Sequence, residues 1–329
     1  MQTVTILDTS LGTDNLGDDI IMDAVKREVF ALFPQAYYYY VPTHDLLSDR
    51  TRRFVKRSDF TFIGGTNLLS SRMNTRSQWR VRWFDTLWMR RAICLGVGWN
   101  SYSAAATTLS AWKLRILLDG QVAHSMRDTY TLERARRAGI HAINTACPTM
   151  WNLTDAHMGR IPRDPAQDVV FTLTAWRPDI EADRAFIALL KRHYRRLHFF
   201  CQMREDFDYL ARFGIGGIGL ITPTLAGYDQ FLANEAVDYV GTRLHGGIRA
   251  LQKGVRSLIL GVDNRGTEIH HDTELPVVDR RDLAAIERWI LGAQATGIQL
   301  PWEAIGQWRR QFGGTSALDD TPKPDIMAA

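Results

Sequence analysis

The chain has 329 residues, 45% of them hydrophobic and 23% charged, which suits a soluble protein of two domains and excludes a disordered one. Its net charge is +4, and its 40 basic residues include only six lysines, hence 34 arginines, scattered without the long basic runs of a nucleic-acid binder. Three cysteines, Cys94, Cys147 and Cys201, with no CxxC pair, argue against a disulfide frame or structural zinc and for a reducing, cytoplasmic address. The start "MQTVTILDTS" lacks the basic and apolar regions of a signal peptide, and no apolar run is long enough to span a bilayer.

In chain order, β-branched runs alternate with helical patterns. Strand 3–8 precedes a helix near 18–33, and strands follow at 37–41, 59–65 and 91–99. A helix near 104–118, a strand at 121–126 and a helix near 128–138 complete the first set. After the break at 152–166 the pattern resumes, with strands at 168–174, 197–201, 217–221, 237–241 and 256–262. Their helices lie at 180–194, near 205–213, near 226–234 and at 246–254. The alternation predicts an α/β protein with two Rossmann-like domains, residues 1–155 and 156–300, whose parallel sheets face a cleft. A last helix at 301–312 and a frayed tail make up 301–329.

Ligands of such sheets bind beyond the carboxyl ends of the strands, so the residues there are the candidates. After the first strand, "DTSLGTDNLGDDII" brings Asn15, Asp18 and Asp19 to a helix start, where one aspartate is expected to cap and the other to act as a base. This is not GxGxxG, so no nicotinamide cofactor is inferred. "IGGTNLL" supplies Gly64, Gly65 and Asn67, whose glycines allow close backbone approach to a ligand. Arg127 stands where strand 121–126 ends. Most unusual is "TRLHGG": Arg243 and His245, two apart in an extended segment, are expected to face one spot beside a helix N-terminus that opens with Gly246 and Gly247. That arrangement suits a small polyanion.

Two other stretches stand out. "EIHHDTE" at 268–274 gathers acids and histidines at a spacing poor for one metal, and reads as a loop lining the cleft. "RMNTRSQWRVRWFDTLWMRR" at 72–91 interleaves tryptophans and arginines, read as a helix packed on the sheet or as a surface facing an acceptor or a membrane.

With "NLGDDII", "IGGTNLL", "SMRDTYTLERARRAGI" and "TRLHGGIRALQKG" in this order, the sequence resembles the polysaccharide pyruvyl transferase family from about Asn15 to Gly254. The resemblance implies a fold like the GT-B glycosyltransferases, with an N-terminal acceptor domain and a C-terminal donor domain. It implies transfer of the enolpyruvyl group of phosphoenolpyruvate to two hydroxyls of a sugar, free or lipid-linked, with release of phosphate and with neither cofactor nor metal. Arg127, Arg243, His245, Gly246 and Gly247 would hold the donor. His245 and Asp18 would move protons, with Asp19 open as the alternative base. Asn15, Asp19, Gly64, Gly65 and Asn67 would line the acceptor side. His245 would be neutral in the free enzyme and protonated beside bound phosphate. Arg256 stands where many members carry proline, and Arg265 where a lysine is frequent. Peripheral contact with the inner face of the cell membrane is a further expectation. Two other functions fit this architecture: a nucleotide-sugar glycosyltransferase and a non-catalytic glycan-binding relative.

Overall fold

The computed structural model describes residues 1–313 except 76, 90, 101, 103 and 104, so the tail at 321–329 lies outside the described residues. Its first sheet holds β1 (Thr3–Asp8), β2 (Tyr37–Pro42), β3 (Phe60–Gly64) and β4 (Ala92–Leu95) in the order β2-β1-β3-β4, all parallel. A parallel pair, β5 (His124–Met126) and β6 (Ala142–Asn144), joins its edge through the bridge Val97–Met126. The second sheet holds β7 (Asp168–Thr172), β8 (Arg196–Phe200), β9 (Ile218–Ile221), β10 (Val237–Gly241), β11 (Ser257–Gly261) and β12 (Val277–Asp279). Its order is β12-β11-β10-β7-β8-β9, again parallel throughout.

The helices of the first half are α1 (Leu16–Leu32), α2 (Asp49–Arg57), α3 (Thr108–Leu117), α4 (Thr129–Arg137) and α5 (Asp155–Met158). Those of the second are α6 (Ile180–His193), α7 (Arg204–Ala211), α8 (Leu225–Asn234), α9 (Leu244–Gln252), α10 (Asn264–Thr273) and α11 (Leu283–Leu291), followed by α12 (Trp302–Arg310). Local chemistry explains their ends. In α6, Asp179 caps the N-terminus by accepting from the Ala182 amide at 3.2 Å. Glu181 and Asp183 fill the first turn and Lys191, Arg192 and His193 the last, each sign matching the helix dipole. Central strands such as β7 and β10 are buried along their whole length, as expected where helices cover both faces.

The chain leaves the second sheet and returns to the first. Ile305 and Trp308 of α12 pack with Val4, Ile6 and Phe62, and Arg309 pairs with Glu28 of α1 at 2.8 Å. The last helix therefore belongs to the core of the first domain. Two expectations are corrected. The described part of 72–91 is irregular except for one 3-10 turn at Trp83–Leu87, and 268–274 is mostly the C-terminal part of α10 rather than a loop.

The halves are stitched together near the strand ends. Leu16 donates its amide to the Gln202 carbonyl at 3.0 Å, and Arg249 of α9 pairs with Asp23 of α1 at 2.8 Å. From the other side, Asp272 of α10 accepts from the Thr129 amide at 2.6 Å and from Asn144 at 2.8 Å.

Candidate active site between the two sheets

His245 lies in the first turn of α9, 5% exposed, where the second domain meets the first. Its Nε2 is 3.8 Å from Sγ of Cys147, and the Thr149 hydroxyl donates to that sulfur at 3.1 Å. Burial, aided by the positive charges of Arg265 and Arg127, pushes the imidazole down to about 3. A neutral His245 was expected; the dominant cause is burial. The N-cap residue of α9 makes no side-chain capping bond, so the amides of the first turn keep their pull on an anion.

Between about 3 and 6.5 the unfolded chain holds a proton on this histidine that the folded chain does not. Its contribution to stability is therefore lost as pH falls through that window. Stability measured from pH 7 to 4 is expected to fall less in His245→Gln than in the unaltered protein. Equal slopes would contradict a buried neutral imidazole.

Arg127, 2% exposed, follows β5 and is held on two sides. Its Nε donates to Asp128 at 3.1 Å and its Nη2 to Asn67 Oδ1 at 2.6 Å. The guanidinium lies against Gly98, where a Cβ would come within 2.5 Å of its central carbon. Gly98 thus makes room for the arginine, a role that its sequence context does not reveal. From the second domain Arg265, near the start of α10, pairs with Asp263 at 2.6 Å and remains part exposed. Arg127 and Arg265, each paired with an aspartate, act on His245 beside the open end of α9, and Asp263 acts against them.

Asn15, not an aspartate, caps α1, accepting from the Gly17 amide at 3.1 Å. It also accepts from Gln202 at 3.0 Å, so it joins the domains. Asp18 is buried at the same helix end. Its Oδ2 accepts from Thr13 at 2.8 Å, and its Oδ1 has no hydrogen-bond partner among the described residues. Burial pushes its carboxyl up, against the Thr13 bond and the charges of His44 and Arg265. Asp19 is part exposed; burial and the nearby Asp8 raise its carboxyl, while Lys26 lowers it. Asp18 therefore shares the neighbourhood of Arg265, and Asp19 belongs to a cluster with Asp8 and Lys26.

The glycines are corrected towards packing. A Cβ on Gly64 would meet Val25 at 2.7 Å, and one on Gly65, whose φ is +55°, would meet Ile21 at 1.9 Å, so this pair seats β3 on α1. A Cβ on Gly247 would meet Ile259 at 2.6 Å, so Gly247 seats α9 on the sheet; Gly246 is looser, with Tyr239 at 3.2 Å.

Arg243 is the main correction. It is the N-cap of α9, so the extended segment ends there and His245 already follows helical geometry. The two side chains part, and the expected convergence on one spot is not found. Arg243 Nε donates to Asp206 Oδ2 at 2.9 Å and to the Leu173 carbonyl at 3.2 Å, and Nη2 grips the other oxygen of Asp206. The bidentate edge expected to hold a donor is taken by a carboxylate that is fully buried. Asp206 also accepts from the amides of Ala175 at 3.0 Å and Met203 at 3.1 Å, so the pair ties β7, α7 and α9 together. Removing one partner of such a buried pair costs about 3–5 kcal/mol. Arg243→Ala is thus expected to lower the melting temperature markedly. An unchanged melting temperature with lost donor affinity would restore a direct donor role.

Arg256 is likewise structural, stacked 3.6 Å from the Trp289 ring centroid and paired with Asp238 at 2.7 Å. Among the described residues no group of three or more His, Cys, Asp or Glu side chains is placed to hold a metal ion.

Two parallel sheets that meet around His245 and Cys147 define a GT-B-like architecture. One of the solved structures compared, an epimerase, agrees on the fold. The UDP-GlcNAc 2-epimerase of Methanocaldococcus jannaschii, solved with UDP-GlcNAc and UDP, superposes with a TM-score of 0.54 at 11% identity, over 94% of this chain and 98% of that one. The heptosyltransferase WaaC of E. coli gives 0.36 at 12% identity, over 79% and 88%. No curated protein matches the sequence. The family profile described as polysaccharide pyruvyl transferase matches residues 15–264, and the chain belongs to that family.

Proposed function

We propose that the protein transfers the enolpyruvyl group of phosphoenolpyruvate to two hydroxyls of one sugar, making a cyclic ketal and releasing phosphate. The observation that carries this reading is the buried His245 at the uncapped end of α9, with Arg127 and Arg265 acting on it as cations. Phosphoenolpyruvate brings a phosphate and a carboxylate, which suit two guanidinium groups and a helix N-terminus. Its negative charge raises the basicity of His245, which enters the reaction as an imidazolium. This proton goes to the methylene carbon, turning CH₂ into CH₃ as the first sugar hydroxyl bonds to C2. Asp18, made more basic by its burial, takes a hydroxyl proton. The C2–O bond to phosphate then breaks, and the second hydroxyl closes the ring. Of the two protons lost by the sugar, one is balanced at the new methyl group and one at the departing phosphate.

Asn67 and Asp128 act here as positioning residues, fixing the plane of the Arg127 guanidinium. The acceptor enters from the side of α1, as a free or lipid-linked glycan in the cytoplasm, and no cofactor takes part. Phosphate release from phosphoenolpyruvate, assayed against a panel of free and lipid-linked glycans, tests the proposal. Release that depends on one acceptor, with a ketal in the product, is expected. Turnover of UDP- or GDP-sugars without any use of phosphoenolpyruvate would replace this reading with a glycosyltransferase.

A further inference from the structure

Charge is divided unevenly along the chain. Residues 46–116 contain 13 lysines and arginines against three acids, Asp49, Asp59 and Asp85, a local charge of +10 in a chain whose total is +4. All other residues together therefore carry −6. The same segment displays apolar side chains outward: Phe84 is 52% exposed, Leu87 60%, Leu109 52% and Trp112 51%.

Ring contacts gather aromatic side chains of this segment around two adjacent residues, Trp83 and Phe84. The ring of Trp83, in the 3-10 turn, lies 5.1 Å from that of Trp112 in α3, and Phe84 lies 4.6 Å from Trp88. Leu109 and Trp112 are three apart on one helix face. Beneath them Arg52 of α2 pairs with the buried Asp85 at 2.9 Å, and its guanidinium sits 4.9 Å from the Phe84 ring. This pair fixes the turn without adding net charge. Exposed arginines, among them Arg50, Arg53, Arg80, Arg82 and Arg115, come from the same segment. A contiguous exposed apolar patch is rare on a monomer unless it binds something. No helix among the described residues is long and apolar enough to cross a membrane.

We propose that this face docks on the surface of an anionic lipid bilayer. Leucine, phenylalanine and tryptophan side chains would enter the boundary between headgroups and acyl chains while the arginines meet lipid phosphates. Exposed leucines favour this occupant over a nucleic acid, which gives aliphatic side chains nothing to enter.

The test is co-sedimentation of the full chain with vesicles of phosphatidylcholine, alone and mixed with phosphatidylglycerol, without donor or acceptor. Binding to the mixed vesicles that weakens with salt is expected, with little binding to phosphatidylcholine alone. Leu87→Ser combined with Leu109→Ser is expected to weaken binding by at least about tenfold. Arg50→Gln and Arg53→Gln are expected to weaken it by about fivefold each. The arginine variants carry the test if the leucine variant melts abnormally. No binding to mixed vesicles, equal binding to both kinds, or full binding by properly folded variants would overturn the proposal. So would capture by duplex DNA that competes with vesicles and ignores the leucine changes. Because no substrate is present, this result and that of the phosphate-release assay can fail separately.

Discussion

Replacing His245 by glutamine is expected to slow turnover by about a hundred- to ten-thousand-fold, the range of general acid–base catalysis. Donor affinity should change far less, because the amide still reaches a phosphate oxygen and the cations at Arg127 and Arg265 remain. The fold should survive, since Gly247, not His245, seats α9 on Ile259 and Tyr239. Turnover and donor affinity are to be measured side by side, with melting temperature as the check on folding. Near-normal turnover in His245→Gln would reduce the histidine to a binding group and give proton transfer to another residue.

The second large effect is expected at Asp18. Asp18→Asn keeps the size of the side chain and removes the base, so turnover should fall by about a hundred-fold or more. Stability should move the other way. The folded carboxyl titrates above its ordinary value because it is buried, so ionisation at neutral pH costs the folded state something that asparagine avoids. The variant is therefore expected to melt at or above the normal temperature at pH 7, and to lose this advantage in acid. Asp19→Asn should leave turnover close to normal, since Asp19 neighbours Asp8 and Lys26. A slow Asp19→Asn beside a fast Asp18→Asn would exchange the two roles.

Much of this architecture is legible in the sequence because its signals are local. Buried parallel strands read as apolar runs, and "TRLHGG" announces a strand handing over to a helix beside a histidine. What fails is the step from local pattern to direction. A period of two carries Arg243 and His245 to one side only if both are extended, but the helix begins at Leu244. The partner that claims Arg243 is Asp206, 37 residues away in another connection, and no spacing rule reaches it. Cys147 and Gly98 escape for the same reason, since their meaning comes from His245 and Arg127, which the fold alone brings to them. The glycines of "IGGTNLL" are read as letting the backbone approach a ligand, whereas what packs against them is α1. Residues 72–91 show the converse error. Their tryptophan spacing imitates a helix, whereas Trp79, Val81 and Met89 are buried from an irregular segment that hydrogen bonds through Ser77 and Lys113 support.

Phosphoenolpyruvate is expected to bind between the domains, and His245 to take up a proton from solvent as it does so. Calorimetric titration with phosphoenolpyruvate at pH 7, repeated in buffers of different ionisation enthalpy, measures both binding and proton uptake. Saturable binding with net proton uptake, the uptake lost in His245→Gln while binding persists, is the expected result. Absence of binding by phosphoenolpyruvate, with UDP- or GDP-sugars binding in its place, would contradict the account.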